Sequence, residues 1–386
     1  MTGALNGIRV VECGDGVSAA YAGKLLADLG ADVVKVESPA GDTARRRGPY
    51  PGGTPDPERS GLYLYLNTNK RGAVLDLASA EGRASLDALA RRADLVVHNL
   101  PPADTAARGL AADALLAANP RLVVASITPY GLQGARRDWA ATDLTLWNAG
   151  GIAYLNGGGF EAEDLPPLKP FGQQAEFQGG VNAAIAALGA LRVARRDGSG
   201  QHVVVSIQQT LAAILELTFE YWPYQGLIAS RLGRKPIQPL DFLECRDGWV
   251  FICCVEEHQW QEFVRMIGSP EWAEMELFAD RLSRGANWDA LKIFLQEWAS
   301  EQSVMEVYHA AQQRRIPFAP VSTMGDLLAS EHLKARGFFA TLDLPGAPIR
   351  VPGAPYKLTA TPWAIRRPAP RLGEHTAEVL REAGAA

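Results

Sequence analysis

The 386-residue sequence predicts an α/β protein, a parallel sheet covered by helices on both faces and followed by a second unit. Three observations carry this. Between Ile8 and Glu37 an apolar strand, an Ala-rich helix and a second apolar strand follow one another as a βαβ unit. The same βα alternation then repeats as far as Thr128, as a parallel sheet requires. Finally, the chain is too long for one typical domain, and from Asp241 the pattern changes to a hairpin followed by amphipathic helices.

In order, Ile8 to Cys13 forms the first strand, Val17 to Leu29 a helix stopped by Gly30, and Asp32 to Glu37 the second strand. The turn Gly14-Asp15-Gly16-Val17-Ser18-Ala19 fits G-x-G-x-x-A, and Glu37 stands near the place of a ribose-binding acid. Taken literally, this describes an NAD-dependent dehydrogenase; taken loosely, it describes a tight turn beside a nucleotide-type ligand. Ser38 to Gly72 is loop-like, and Arg45, Arg46, Arg47, Lys70 and Arg71 gather positive charge there. Such cations either hold phosphates or make a solvated basic loop. Strands at Ala73 to Leu77, Asp94 to Asn99 and Leu122 to Thr128 alternate with helices at Ala80 to Arg92 and Ala111 to Asn119. Tyr130 to Gly134 breaks the rhythm, Ala141-Thr142-Asp143 opens a helix-like segment, and Asn156 to Gly159 is a glycine-rich loop.

The chain is organised around Phe171 to Ile214. Val181, Ala184, Ile185, Leu188 and Leu191 have helical spacing, Arg195 and Arg196 suit a helix C-terminus, and Asp197 to Gly200 turns into the strand Val203 to Ile207. Glu176, just ahead of Gly179-Gly180, falls in or near the first turn, where backbone N–H groups favour an anion. It is there either as a nucleophile or as a favourable first-turn charge. A long apolar segment after Thr210 leads to a hairpin of Asp241 to Cys245 and Trp249 to Val255. Helices follow around His258 to Ile267, Trp288 to Ser300 and Val304 to Arg314, then the extended Ile316 to Val321. The Pro-dense tail reads as extended and coreless, so it must lie on the first domain or on a partner subunit.

A net charge of −5 without long blocks of like charge argues against nucleic acid. No stretch approaches the roughly 20 apolar residues of a membrane span, and the N-terminus lacks a signal pattern, so a cytoplasmic protein is expected. The four cysteines, without C-x-x-C spacing, read as reduced core residues, and the six scattered histidines indicate no metal site.

Segments throughout the chain, among them LNGIRVVECGDGVSAAYAGKLLADLGADVVKVESPAGD, LNTNKRGAVLDL, ADLVVHNLPP, YGLQG, AEFQGGVNAAIAALGAL, DGSGQHVVVSI, CRDGWVFI, RRIPFAPV, PGAPYKLTATP and RLGEHT, occur in one register. Together they resemble the family III coenzyme A transferases, which include formyl-CoA transferase, carnitine CoA-transferase and 2-methylacyl-CoA racemase. The resemblance implies a Rossmann-like large domain of 1–200 and 345–386, linkers 201–230 and 331–344, and a smaller α+β domain of 231–330. It also implies a homodimer of two chains interlocked like rings. Coenzyme A and acyl-CoA would be substrates, with a small carboxylic acid as acceptor and no tightly bound cofactor. The CoA nucleotide would lie against Val17, Lys35, Glu37, Arg45, Leu66, Asn69, Lys70, Arg71 and Asn99. Arg108 stands one residue after the family's arginine position, where this chain has Ala107.

The family nucleophile is an aspartate at the start of the Ala-rich helix, and Glu176 in EFQGG takes that place here. The added methylene moves the reacting oxygen by about 1 Å, a misplacement that can cost on the order of 100-fold. Asp143 matches an acidic position near the nucleophile, where it would orient Glu176, raise its pKa, or only cap its own helix. The racemase branch has a histidine at the preceding position; Thr142 cannot act as that base, so racemisation is not expected. The glycine-rich loop of formyl-CoA transferase has no match, RLGRKPIQPLDF taking its place, so formate and oxalate are not implied. The expected activity is CoA transfer from an acyl-CoA to a carboxylic acid through an enzyme–CoA thioester. The alternatives are a CoA-ester-binding paralogue or subunit with little activity, and the dehydrogenase.

Overall fold

In the computed structural model, which describes residues 3–157, 164–232, 237–342 and 348–385, six parallel strands occupy the centre of the larger unit. The chain divides into one unit of residues 1–157, 167–229 and 338–386, and another of 158–166 and 230–337. In the first, β1 (Arg9–Cys13), α1 (Ser18–Asp28), β2 (Asp32–Glu37), α2 (Gly61–Leu66), β3 (Arg71–Val74), α3 (Ala80–Ala90), β4 (Leu95–His98), α4 (Ala112–Ala118) and β5 (Val123–Thr128) follow in order. Then come α5 (Asp143–Ala149), α6 (Gln174–Asp197), β6 (Gln201–Ser206), α7 (Ile207–Ala212) and α8 (Glu216–Gln225). The spatial order is β3-β2-β1-β4-β5-β6.

The central strands are largely apolar because both faces are covered. Val10, Val33, Leu95, Val97, Val123 and Ile127 pack with Ala and Leu residues of α1 and α6. Val11, Val34, Val36, Val96 and Val124 face α3, α4 and Val379 of the chain's last helix. The segment expected to be loop before Gly72 contains α2, which forms because the Ser60 hydroxyl caps it, accepting from Tyr63 N at 3.2 Å, and because Tyr63 and Leu66 are buried. The strand expected at Val203 to Ile207 is β6 (Gln201–Ser206), paired in parallel with β5 from Val123 to Thr128, so the sheet runs on into the segment that the resemblance gave to a linker.

In the second unit, β7 (Leu240–Cys245) and β8 (Gly248–Cys253) form the expected antiparallel hairpin, and β9 (Ala319–Pro320) joins its edge. Helices α9 (Glu257–Met266), α10 (Arg281–Ala286), α11 (Trp288–Ser300), α12 (Val304–Gln313), α13 (Met324–Ala329) and α14 (Glu331–Ala335) complete it. Leu243, Val250, Ile252, Phe263, Leu291 and Phe318 are central to its core.

The tail returns to the first unit through an antiparallel pair, β10 (Phe339–Leu342) and β11 (Ile349–Pro352). Asn69 then binds the tail through Nδ2 to the Ala364 carbonyl at 2.8 Å. The tail is not extended throughout. It ends in α15 (Thr376–Ala383), which forms because Val379 reaches the core while Arg71 pairs with Glu378 and Glu382 at 2.8 Å. Among the described residues no helix is long and apolar enough to cross a membrane. Residues 158–159 of the glycine-rich loop and 233–236 of RLGRKPIQPLDF lie outside the described residues.

Candidate active site

With the strand order β3-β2-β1-β4-β5-β6, the loops leaving β1 and β4 diverge, and a crevice opens at their C-terminal ends. Asn99, directly after β4, holds the loop after β1 from across that crevice. Its Oδ1 accepts from Asp15 N at 2.9 Å, and its Nδ2 donates to the Asp15 carbonyl at 2.7 Å and to Ser18 Oγ at 3.0 Å. Gly16 turns the loop with φ of +72°, a conformation that favours glycine, and its N–H donates to Asp42 Oδ1 at 3.0 Å.

Glu176 arrives at the same point from α6. Two glycines make this possible: a Cβ on Gly180 would lie 2.6 Å from the Ser18 carbonyl oxygen, and one on Gly179 would lie 2.8 Å from Ile207 Cγ1. Helices α1 and α6 therefore meet nearly backbone to backbone, and Glu176 Oε2 accepts from Val17 N at 3.2 Å. The start of α6 has no side-chain cap from Gln173. Asp143 supplies one from α5, its Oδ1 accepting from Glu176 N at 3.0 Å. The capping role that the sequence allowed for Asp143 is filled by Thr142, whose hydroxyl accepts from Thr145 N while Thr145 Oγ1 accepts from Thr142 N. Lys169 Nζ stands 2.9 Å from the other Asp143 oxygen. Burial, then the charge of Asp143, push the Glu176 carboxyl above its ordinary range; the Val17 N–H and Arg47 oppose this, and Asp15 adds to it.

The residues expected to touch a nucleotide divide into two groups. Glu37 and the exposed Arg108 line a cavity of about 290 Å³ with Gly14, Asp15 and Leu100, Asn99 holds the loop beside it, and the Val17 side chain is fully buried. The others face the protein interior. Lys35 Nζ lies 2.9 Å from Glu12 Oε1 and 2.7 Å from Asp42 Oδ2, and Lys70 Nζ lies 2.7 Å from Glu12 Oε2. Arg45 holds Glu37 with two bonds, of 2.7 and 2.8 Å. Glu12, Glu37 and Asp42 thus balance Lys35, Lys70 and Arg45 inside the protein. Burial alone would raise Glu37, but Arg45 and Lys35 outweigh it and hold the carboxyl below its ordinary range. Burial lowers Lys70 to about 8, with Glu12 offsetting only part of the effect. Leu66 is fully buried, Asn69 binds Asp28 and the tail, and Arg71 opens β3 at the N-terminal edge of the sheet, where it pairs with Asp32 at 2.7 Å. The basic segment is therefore only partly available to a ligand, and Arg46 and Arg47 are its exposed members.

Lys169, Glu12 and Asp42 were not singled out from sequence. Lys169 lies in an aperiodic Pro-rich stretch without a signal of its own. Glu12 carried one, an acid inside a run of valines, since a buried charge needs a partner.

The molecule is thus an α/β protein with a partly buried carboxylate at the switch point of a parallel sheet. The model of CoA-transferase family III matches residues 5–376. The succinyl-CoA:(R)-benzylsuccinate CoA-transferase subunit BbsE of Thauera aromatica is 34% identical over 94% of this chain and 90% of its own. The succinate–glutarate CoA-transferase of Agrobacterium fabrum is 30% identical over 98% and 95%. A CaiB/BaiF family protein from Brucella suis superposes with a TM-score of 0.89 at 29% identity, covering 99% of this chain and 100% of that one. The chain belongs to CoA-transferase family III and is a CoA-transferase. These matches do not favour the dehydrogenase reading of the glycine turn.

Proposed function

We propose that the chain transfers coenzyme A from a succinyl-CoA-type donor to a carboxylic acid through a thioester formed on Glu176. One arrangement carries the proposal: a carboxylate at the first turn of α6, held by the Val17 N–H at the switch point and raised above its ordinary range by burial and Asp143. The ionised Glu176 attacks the thioester carbonyl carbon and the C–S bond breaks, giving a mixed anhydride and the CoA thiolate. The thiolate attacks the Glu176 acyl carbon, the donor leaves as a carboxylate, and the enzyme is left as a CoA thioester. An acceptor carboxylate attacks that thioester, CoA thiolate returns to the acceptor's acyl carbon, and Glu176 is released unchanged. A carboxylate enters and a carboxylate leaves, so no proton donor or redox partner is needed. The Val17 N–H is placed to hold the oxyanion developing on the Glu176 acyl group.

In this proposal Val17, Glu37, Asn99 and Arg108 border the nucleotide, while Lys35, Arg45 and Lys70 hold the loops from within and Leu66, Asn69 and Arg71 act through packing. Hydroxylamine or borohydride treatment after succinyl-CoA is added should modify the peptide containing Glu176, as read by mass. Glu176→Ala should abolish exchange while CoA still binds. Turnover by that variant, or an unmodified peptide with several acyl-CoA donors, would refute the mechanism. The latter result with intact CoA binding would favour a binding subunit of little activity, a reading that the replacement of the family aspartate supports. For the partner we infer a second copy, interlocked as the resemblance implies. Helix α8 has no buried residue, and Phe219, Trp222, Tyr224 and Ile228 are exposed on and after it. Light scattering that gives the mass of one 41.5 kDa chain would count against it.

A further inference from the structure

We propose that Lys169 is a positioning residue for Glu176: it holds Asp143 in place against the start of α6 and offsets the charge that Asp143 sets beside the Glu176 carboxylate. The effect on rate rests on Glu176 being the nucleophile; the geometry does not. Asp143 is buried, and its two oxygens serve different partners. Oδ1 accepts from Glu176 N at 3.0 Å, and Oδ2 lies 2.9 Å from Lys169 Nζ. The Lys169 side chain is only 14% exposed. Its ammonium also donates to the Pro170 carbonyl at 2.8 Å and to the Gly172 carbonyl, both in the short approach to α6. One cation therefore ties that approach to the first residue of α5, at a helix start that lacks a cap of its own.

The charges that bear on Glu176 come from several elements: Asp143 on α5, Asp15 on the loop after β1, and the exposed Arg47 after β2. Two anions thus stand against one solvated cation. A buried carboxylate without a counter-ion is strongly disfavoured, and Lys169 is the cation in contact with Asp143. Without it, the full charge of Asp143 acts on Glu176 and favours the protonated acid, which is no nucleophile.

The test is the pH dependence of carbodiimide-driven amine labelling of Glu176 in the full-length protein, read by peptide mass, because that reaction needs the protonated carboxyl and no turnover. Lys169→Met should move the labelling midpoint upward, giving several-fold more label at pH 7, and the acid limb of kcat/KM should move with it. Lys169→Arg should stay near the wild type. Asp143→Asn added to Lys169→Met should bring the midpoint back down, since Asn keeps an oxygen for the Glu176 N–H but carries no charge. A merely structural lysine would lower thermal stability and leave every midpoint in place. If the Met variant does not fold, Lys169→Gln, which retains a donor for the Pro170 and Gly172 carbonyls, should show the same upward shift. An unchanged or lowered midpoint in the folded Met or Gln variant overturns the inference. A wild type that forms no trapped adduct with succinyl-CoA would instead overturn the nucleophile assignment, and the labelling result would still decide the role of Lys169.

Discussion

If Glu176 carries the thioester as proposed, shortening it by one carbon tests whether the pocket has settled around glutamate. In Glu176→Asp the carboxylate withdraws by about 1 Å. Its oxygen now lies 3.2 Å from Val17 N, so with a fixed backbone the distance grows to about 4.2 Å and the hydrogen bond is lost. The helix cannot follow. Its Gly180 already approaches the Ser18 carbonyl so closely that a Cβ would stand 2.6 Å away, and Asp143 holds Glu176 N at 3.0 Å. A misplacement of this size costs on the order of 100-fold in rate, about 2.7 kcal/mol of transition-state stabilisation. The assay is the initial rate of exchange from succinyl-CoA into a labelled acid at saturating concentrations of both, with CoA affinity by calorimetry as the control. Affinity should hold while kcat falls. A variant as fast as the wild type, or faster, would refute the reasoning and mean that the pocket is still shaped for the shorter acid.

Glu176→Gln isolates the electrostatic cost of the Glu176 carboxylate. Because the folded-state pKa is raised, the stability linked to this group is present below the unfolded value of about 4.3 and lost as pH rises through the folded value. Melting temperatures should coincide at low pH and separate in favour of the Gln variant as pH rises; the opposite trend would contradict the burial argument. Lys70→Met should remove a cation 2.7 Å from the buried Glu12 and destabilise the protein by about 3 kcal/mol, with Lys35 left as the remaining partner. Thermal unfolding of this variant against its KM for acyl-CoA decides the role of Lys70. Unchanged stability with a raised KM would return Lys70 to the ligand.

Much of the first unit is legible in the sequence. The strands β1, β2, β4 and β5 showed as valine-rich runs because a parallel sheet covered on both faces excludes polar residues from most positions. Glu176 could be placed in the first turn of α6 because the apolar spacing, Arg195 and Arg196 in the last turn, and Gly198 with φ of +76° mark both ends of that helix. The roles of the basic residues were not legible. Glu12 and Lys35 stand in register on neighbouring strands, so a lysine that looked poised for phosphate is an internal counter-ion. The C-terminal helix was missed because the Pro-dense stretch before it dominates the local pattern, and its value to the chain is the contact of Val379 with a distant core.

Sequence alone determined the class of fold, the alternation of the first five strands with their helices, and the acid at the head of the Ala-rich helix, since each is written in local periodicity. Tertiary structure decided what surrounds that acid. Val17 lies 159 residues from Glu176 in the chain, and Asp143 lies 33 residues away. A charge becomes ligand, counter-ion or cap according to which strand and helix it meets, and those meetings are set by sheet order, register and the close approach of α1 to α6.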